Sequence, residues 1–108
     1  MGYYAHDTIA FQTVQDEAAE RVEAFRAALP ETWRRLIVGP VRGAANSAEF
    51  WAFLPDGSKE GWDTSNEGDS YRAELIALLD EIDSDYVHVR WGGDWGREVK
   101  ATIEAESP

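Results

Sequence analysis

Cysteine is absent from the chain. That excludes disulfides, cysteine-ligated zinc and thiol nucleophiles together, so stability has to come from packing, hydrogen bonds and ion pairs. Basic residues are scarce: ten Lys and Arg stand against 21 Asp and Glu, for a net charge of −11. Nucleic-acid binding and adsorption to anionic lipid both rely on cations meeting phosphates, so neither is expected as a direct mode of action. No apolar run approaches the roughly 20 residues of a membrane span, and no basic-then-apolar leader opens the sequence; the expected location is the cytoplasm. Histidine is limited to His6 and His88, neither beside a serine–acid pattern nor at a paired metal spacing. Gly92-Gly93 lacks the lysine and following helix of a phosphate-cradling loop. No catalytic signature remains, and no cofactor is expected.

What is present describes one α+β domain spanning residues 1–108, with a tail at 105–108 expected to fray. The hydrophobic content of 44%, with 12% aromatic, is enough for a real core and argues against disorder. Five tryptophans are many for 108 residues. Trp is rarely buried completely, so one or two belong at the surface, where interfaces favour them. The charge is uneven. Residues 1–55 hold seven acids and five bases, whereas residues 56–108 hold fourteen acids and five bases. The second half therefore projects a negative field able to steer a basic partner, although acidity also serves plain colloidal stability.

Periodicity predicts the elements. His6 to Val14 reads as a central strand, with Ile9, Phe11 and Thr13 on one face and Ala10 and Val14 on the other. A helix follows from about Asp16 to Leu29, with a buried stripe of Ala18, Val22, Phe25 and Leu29, and Pro30 ends it. Glu17 with Arg21 and Glu23 with Arg26 are acid-before-base pairs suited to its solvated face. Leu36-Ile37-Val38, bounded by Gly39-Pro40, is an edge strand or one ending in a bulge, because proline cannot donate to a ladder. Ala48 to Leu54 is the next strand. A loop over Gly61 to Asp69 leads into a helix whose apolar face is Tyr71, Leu75, Leu78, Leu79 and Ile82. Tyr86 to Trp91 is a strand with Val87, Val89 and Trp91 expected in the core and Tyr86, His88 and Arg90 opposite. A hairpin at Gly92 to Gly96 returns into Arg97–Glu104, with Val99, Ala101 and Ile103 facing in. The order β-α-β-β-α-β, with a fifth strand closing a terminal hairpin, predicts a ferredoxin-like sandwich.

Three constellations are candidate sites. The acids and tryptophans Trp62, Asp63, Glu67, Asp69, Asp94 and Trp95 are a candidate surface for a basic protein partner. Asp63, Ser65, Glu67, Gly68 and Glu74 fall at positions 1, 3, 5, 6 and 12 of a calcium loop. Glu at position 5, Ser70 at position 8 and the lack of an entering helix count against metal, and the plainer reading is an acidic helix start capped by Asp69 or Ser70. Trp91, Asp94 and Trp95 make either an aromatic tip or a core Trp with a second folded over the sheet. Self-association is a further possibility, with Trp51, Phe53, Tyr86 and His88 at an isologous interface unless helices cover them.

Met1-Gly2-Tyr3-Tyr4 followed by a strand, together with Ser58-Lys59-Glu60-Gly61-Trp62-Asp63 before an acidic helix, resembles a set of small uncharacterised proteins encoded by bacteriophages, prophages and high-GC bacteria. The resemblance implies an accessory protein of a phage or mobile element, and carries no activity with it. The functional expectation is a non-catalytic acidic interaction module, binding and modulating a host protein or mimicking nucleic-acid charge. The alternative is a small-molecule or metal-binding domain, or an enzyme, with a pocket between sheet and helices.

Overall fold

In a computed structural model, residues 6–59 and 61–91 are described in full and residues 99–104 by their backbone. The elements in chain order are β1 (His6–Thr13), α1 (Asp16–Ala28), α2 (Glu31–Arg34), β2 (Ile37–Arg42), β3 (Glu49–Phe53), α3 (Asp63–Glu81), β4 (Tyr86–Trp91) and β5 (Val99–Glu104). The chain is an α+β fold with one antiparallel sheet of order β2-β3-β1-β4-β5. β1 lies between β3 and β4, as its two usable faces predict.

The core forms where α1 and α3 cover one face of this sheet. Ile9, Phe11, Trp51 and Phe53 from the sheet meet Val22 and Leu29 at α1, and Leu75 and Leu79 of α3. Phe11 and Trp51 stack with centroids 5.8 Å apart, and the buried Trp51 indole donates to Thr13 Oγ1 at 3.0 Å. Burying side chains of this size, with their polar atoms paired, is the main source of stability for such a domain.

The edge position of β2 is as the proline predicts, and its register with β3 shifts between Val38 and Val41. Arg26 departs from its expected role on a solvated helix face. It reaches from α1 to β2, where its Nη1 donates to the carbonyls of Ile37 at 3.0 Å and Gly39 at 2.9 Å, while its guanidinium lies 5.3 Å from the Trp51 ring centroid. It also pairs with Glu23. Arg21 pairs with Glu81 of α3 at 3.1 Å, joining the two long helices at their exposed sides.

Three further expectations are corrected. Pro30 ends α1 but also starts α2, a single turn that inserts Trp33 into the core against Tyr71. Proline suits a helix start because no intrahelical acceptor awaits its missing N–H. Of the segment Gly61 to Asp69, only Gly61 and Trp62 precede the helix: α3 begins at Asp63, with Trp62 at the N-cap and no side-chain cap from Asp69 or Ser70. Helix propagates through this polar stretch because Gly68, Arg72, Leu75 and Leu79 form one buried face below it. The third correction concerns β4. Ile9 pairs with His88 and Phe11 with Tyr86, and cross-strand partners share a face. Tyr86, His88 and Arg90 therefore lie under the helices, and Val87, Val89 and Trp91 lie on the open side.

Candidate functional site

The inverted face of β4 builds a buried ionic cluster. Asp7, at the start of β1, is only 5% exposed, and Arg72 of α3 only 4%. Asp7 Oδ1 lies 2.8 Å from His88 Nε2 and accepts from Arg90 Nε at 3.1 Å; its Oδ2 is 3.8 Å from Arg72 Nη2. Arg72 also pairs with Asp56 at 3.3 Å and Asp69 at 2.8 Å. Asp56 in turn accepts from the Ser58 backbone N–H at 2.7 Å and from the Ser58 hydroxyl. Gly68 is what lets α3 settle here. A Cβ at this position would stand 2.7 Å from Asp56 Oδ2, 2.8 Å from Trp33 Cη2 and 3.0 Å from Arg72 Nη1.

The charges of this cluster are paired with one another. Burial acts to raise the Asp7 pKa, but the His88 hydrogen bond and the charges of Arg72 and Arg90 outweigh it, holding the carboxyl below its ordinary value. A carboxylate stabilised in this way is a poor general base at neutral pH. Among the described residues, no buried side-chain nitrogen or oxygen lacks a partner, and no group of three His, Cys, Asp or Glu is arranged to hold a metal ion. The cluster instead ties β1, β4, α3 and the β3–α3 connection together. Its signal was legible in part: Gly68 and Arg72 continue the Leu75–Leu79 stripe at helical spacing, and Asp7 alternates with Ile9, Phe11 and Thr13.

The acidic candidates are spread along α3. Asp63, Glu67, Asp69 and Glu74 are exposed and Ser65 half-buried, all on helix rather than wrapped around a turn. A calcium loop needs a sharp turn at its central glycine; here Gly68 is helical and packed on Trp33. The helix also separates the candidates' roles. Glu67 accepts from the Tyr71 hydroxyl at 2.9 Å, a bond that raises the tyrosine's pKa, while Asp69 is turned to Arg72. Trp62 is 51% exposed beside Asp63, with Lys59 Nζ 5.9 Å from the ring centroid. Asp94, Trp95 and the Gly92 to Gly96 hairpin, like Met1 to Tyr4, lie outside the described residues.

The more distinctive surface is the sheet face away from the helices. Trp51 and Phe53, expected at a self-association interface, are core because α1 and α3 cover them. The alternating positions are uncovered: Val41 is 65%, Phe50 47% and Trp91 40% exposed. Register places Val38, Ala52, Ala10 and Val87 in one row across β2, β3, β1 and β4, and Val41, Phe50 and Gln12 in the next. Toward the other end, Thr8 pairs with Val89 and His6 with Trp91. None of these positions carries Asp, Glu, Lys or Arg. Because Ala10 is small, a hollow of about 310 Å³ opens between Phe50 and Val87, with Gln12 and Asp85 at its rim. Gln12 Nε2 donates to Asp85 at 3.3 Å. No family model, curated protein or solved structure matches the chain. Among the described residues, no helix is long and apolar enough to cross a membrane.

Proposed function

We propose that the protein is a non-catalytic protein-interaction module that docks through the uncovered face of its sheet. The carrying observation is that a chain with 21 acids leaves one broad sheet surface apolar, uncharged on β1 to β4 and open. Large contiguous apolar patches are uncommon on proteins that act alone. The fold reading that accompanies it is a ferredoxin-like sandwich with an added C-terminal strand. Its support is the interleaved order β2-β3-β1-β4, with both long helices on one face. Placement in the cytoplasm, as an accessory protein of a phage or mobile element, rests on the sequence resemblance and on composition.

The acidic helical side gives a second reading, favoured by the exposed Trp62 beside Asp63: a basic partner steered to Trp62, Asp63, Glu67 and Asp69. A pocket between sheet and helices has less support, since the residues meeting there are buried and Asp7 is held ionised rather than neutral. One experiment separates these readings: capture from lysate with wild type, Phe50→Asp, and the double reversal Glu67→Lys/Asp69→Lys, washed at low and high salt. Docking through the sheet predicts salt-resistant capture lost with Phe50→Asp. Capture that is salt-sensitive, lost in the reversal and retained by Phe50→Asp overturns that proposal in favour of the acidic side.

A further inference from the structure

We infer that the occupant of the open sheet face is a second copy of the same chain, packed sheet to sheet about a two-fold axis that runs across the strands. The inference rests on the reading that this face is the docking surface, and three features of the face select the partner.

The first is charge. At −11, two copies repel unless their acidic surfaces are kept apart. The exposed acids of α1 and α3, including Glu17, Glu20, Glu67 and Glu74, lie on the helical layer, opposite the open face. Joining the sheets puts both helical layers on the outside, with the uncharged rows of β1 to β4 between them. A basic partner would find few carboxylates there, Asp85 at the rim of the hollow already accepting from Gln12 and Glu104 of β5 standing in register with Val87, whereas a second copy brings a surface of matching polarity.

The second is shape. Trp91, at one end of β4, leans over β1, its ring 4.7 Å from that of His6 and its indole N–H donating to Thr8 Oγ1 at 3.3 Å, and the hollow beside Ala10 lies toward the other end of the β1–β4 pair. An axis across the strands, passing between the Thr8 and Ala10 rows, reverses the row order and leaves each strand over itself. That operation lays Trp91 of each copy over the other copy's hollow. The contact is then made twice, as an isologous interface requires. Ala10 and Ala52, near the axis, keep the centre flat enough for the sheets to approach.

The third is area. The four strands β1 to β4, about 4.8 Å apart and each some 20 Å long, give a flat footprint of roughly 400 Å² per copy before side-chain relief is counted. Stable interfaces average about 800 Å² per partner, so the pair sits at the small end and its assembly depends on concentration.

The test is sedimentation velocity on the whole chain from about 1 to about 100 µM, where a reversible dimer shows as a concentration-dependent mass. Wild type is expected to double its mass across this range. Ala10→Glu, at an exposed position, sets two carboxylates near the axis and is expected to weaken the dimer about 100-fold or more. Ala73→Glu, exposed on α3, adds the same charge to the helical layer and leaves the dimer unchanged. Mixing Ala10→Glu with Ala10→Arg restores a dimer, which a variant that merely failed to fold would not do. A wild-type monomer throughout, or an Ala10→Glu dimer of undiminished affinity, overturns the inference. If the monomer still captures another protein and loses it with Phe50→Asp, the face docks a different partner and the proposed function stands. If Phe50→Asp changes nothing, both fall.

Discussion

The two sides of β4 make the most instructive contrast in the molecule. Tyr86, His88 and Arg90 face the helices, while Val87, Val89 and Trp91 face away. By hydrophobicity alone the assignment would be reversed. The covered side is polar because Asp7, beside it on β1, holds it: its Oδ1 accepts from Arg90 and lies against His88, while its Oδ2 faces Arg72 of α3. Elsewhere under the same helices, where α1 and α3 meet β1 and β3, the layer is conventional, with Val22, Leu75, Leu79, Ile9 and Phe53 fully buried. The sandwich thus has an apolar half and an ionic half, and the side chains that would ordinarily fill the second half are displaced onto the outer surface.

That contrast can be broken most severely at Asp7. Asp7→Ala leaves Arg72, Arg90 and His88 without their shared carboxylate, and removing one partner of a buried pair costs about 3–5 kcal/mol. Urea unfolding should show the loss, with the apolar half unable to compensate. Acid acts on the same group more gradually. With its folded pKa depressed below 3.8, Asp7 binds a proton more readily when unfolded. Its contribution is therefore fully present above about pH 5 and is lost as pH falls through the folded value. Urea midpoints recorded between about pH 2 and pH 6 should fall toward acid in wild type, and the Asp7→Asn variant should lose the part of that slope due to this residue.

A smaller effect is expected at Gly68. Alanine gains helix propensity there but drives its methyl into the Trp33 ring and the Asp56–Arg72 pair, for a net loss of about 1 kcal/mol in the same assay. The smallest lies on the open side. Val41→Thr, at a 65% exposed position, should shift unfolding of the dilute protein by less than about 0.5 kcal/mol. If Val41→Thr proves as damaging as Gly68→Ala at dilution, the open face contributes to the fold itself and the contrast fails.

Much of this architecture could be read from the sequence, and the failures have physical causes. The periodicity of Val22 with Leu29, and of Leu75 with Leu79, marked both long helices and their buried faces correctly. Pro40 marked the edge strand. The period of a strand, however, says which residues share a face and not which face is covered. For β4 that choice was made by register with Asp7 and by Arg72, both distant in sequence. The start of α3 was misplaced because Asp63 to Asp69 has the composition of a loop, while tertiary packing at Gly68 keeps it helical. The open face was not legible beforehand, since it is defined by what the helices leave uncovered.

The β2 edge carries a consequence for behaviour at high concentration. Pro40 has no amide hydrogen to offer, two carbonyls of β2 already accept from Arg26, and the bulge between Val38 and Val41 breaks the even spacing an incoming strand would need. A strand from another molecule therefore finds no continuous template along this border. Growth by adding strand after strand, the route to fibrils, is stopped on that side of the sheet, and a concentrated solution should remain free of thioflavin-binding aggregate seeded there.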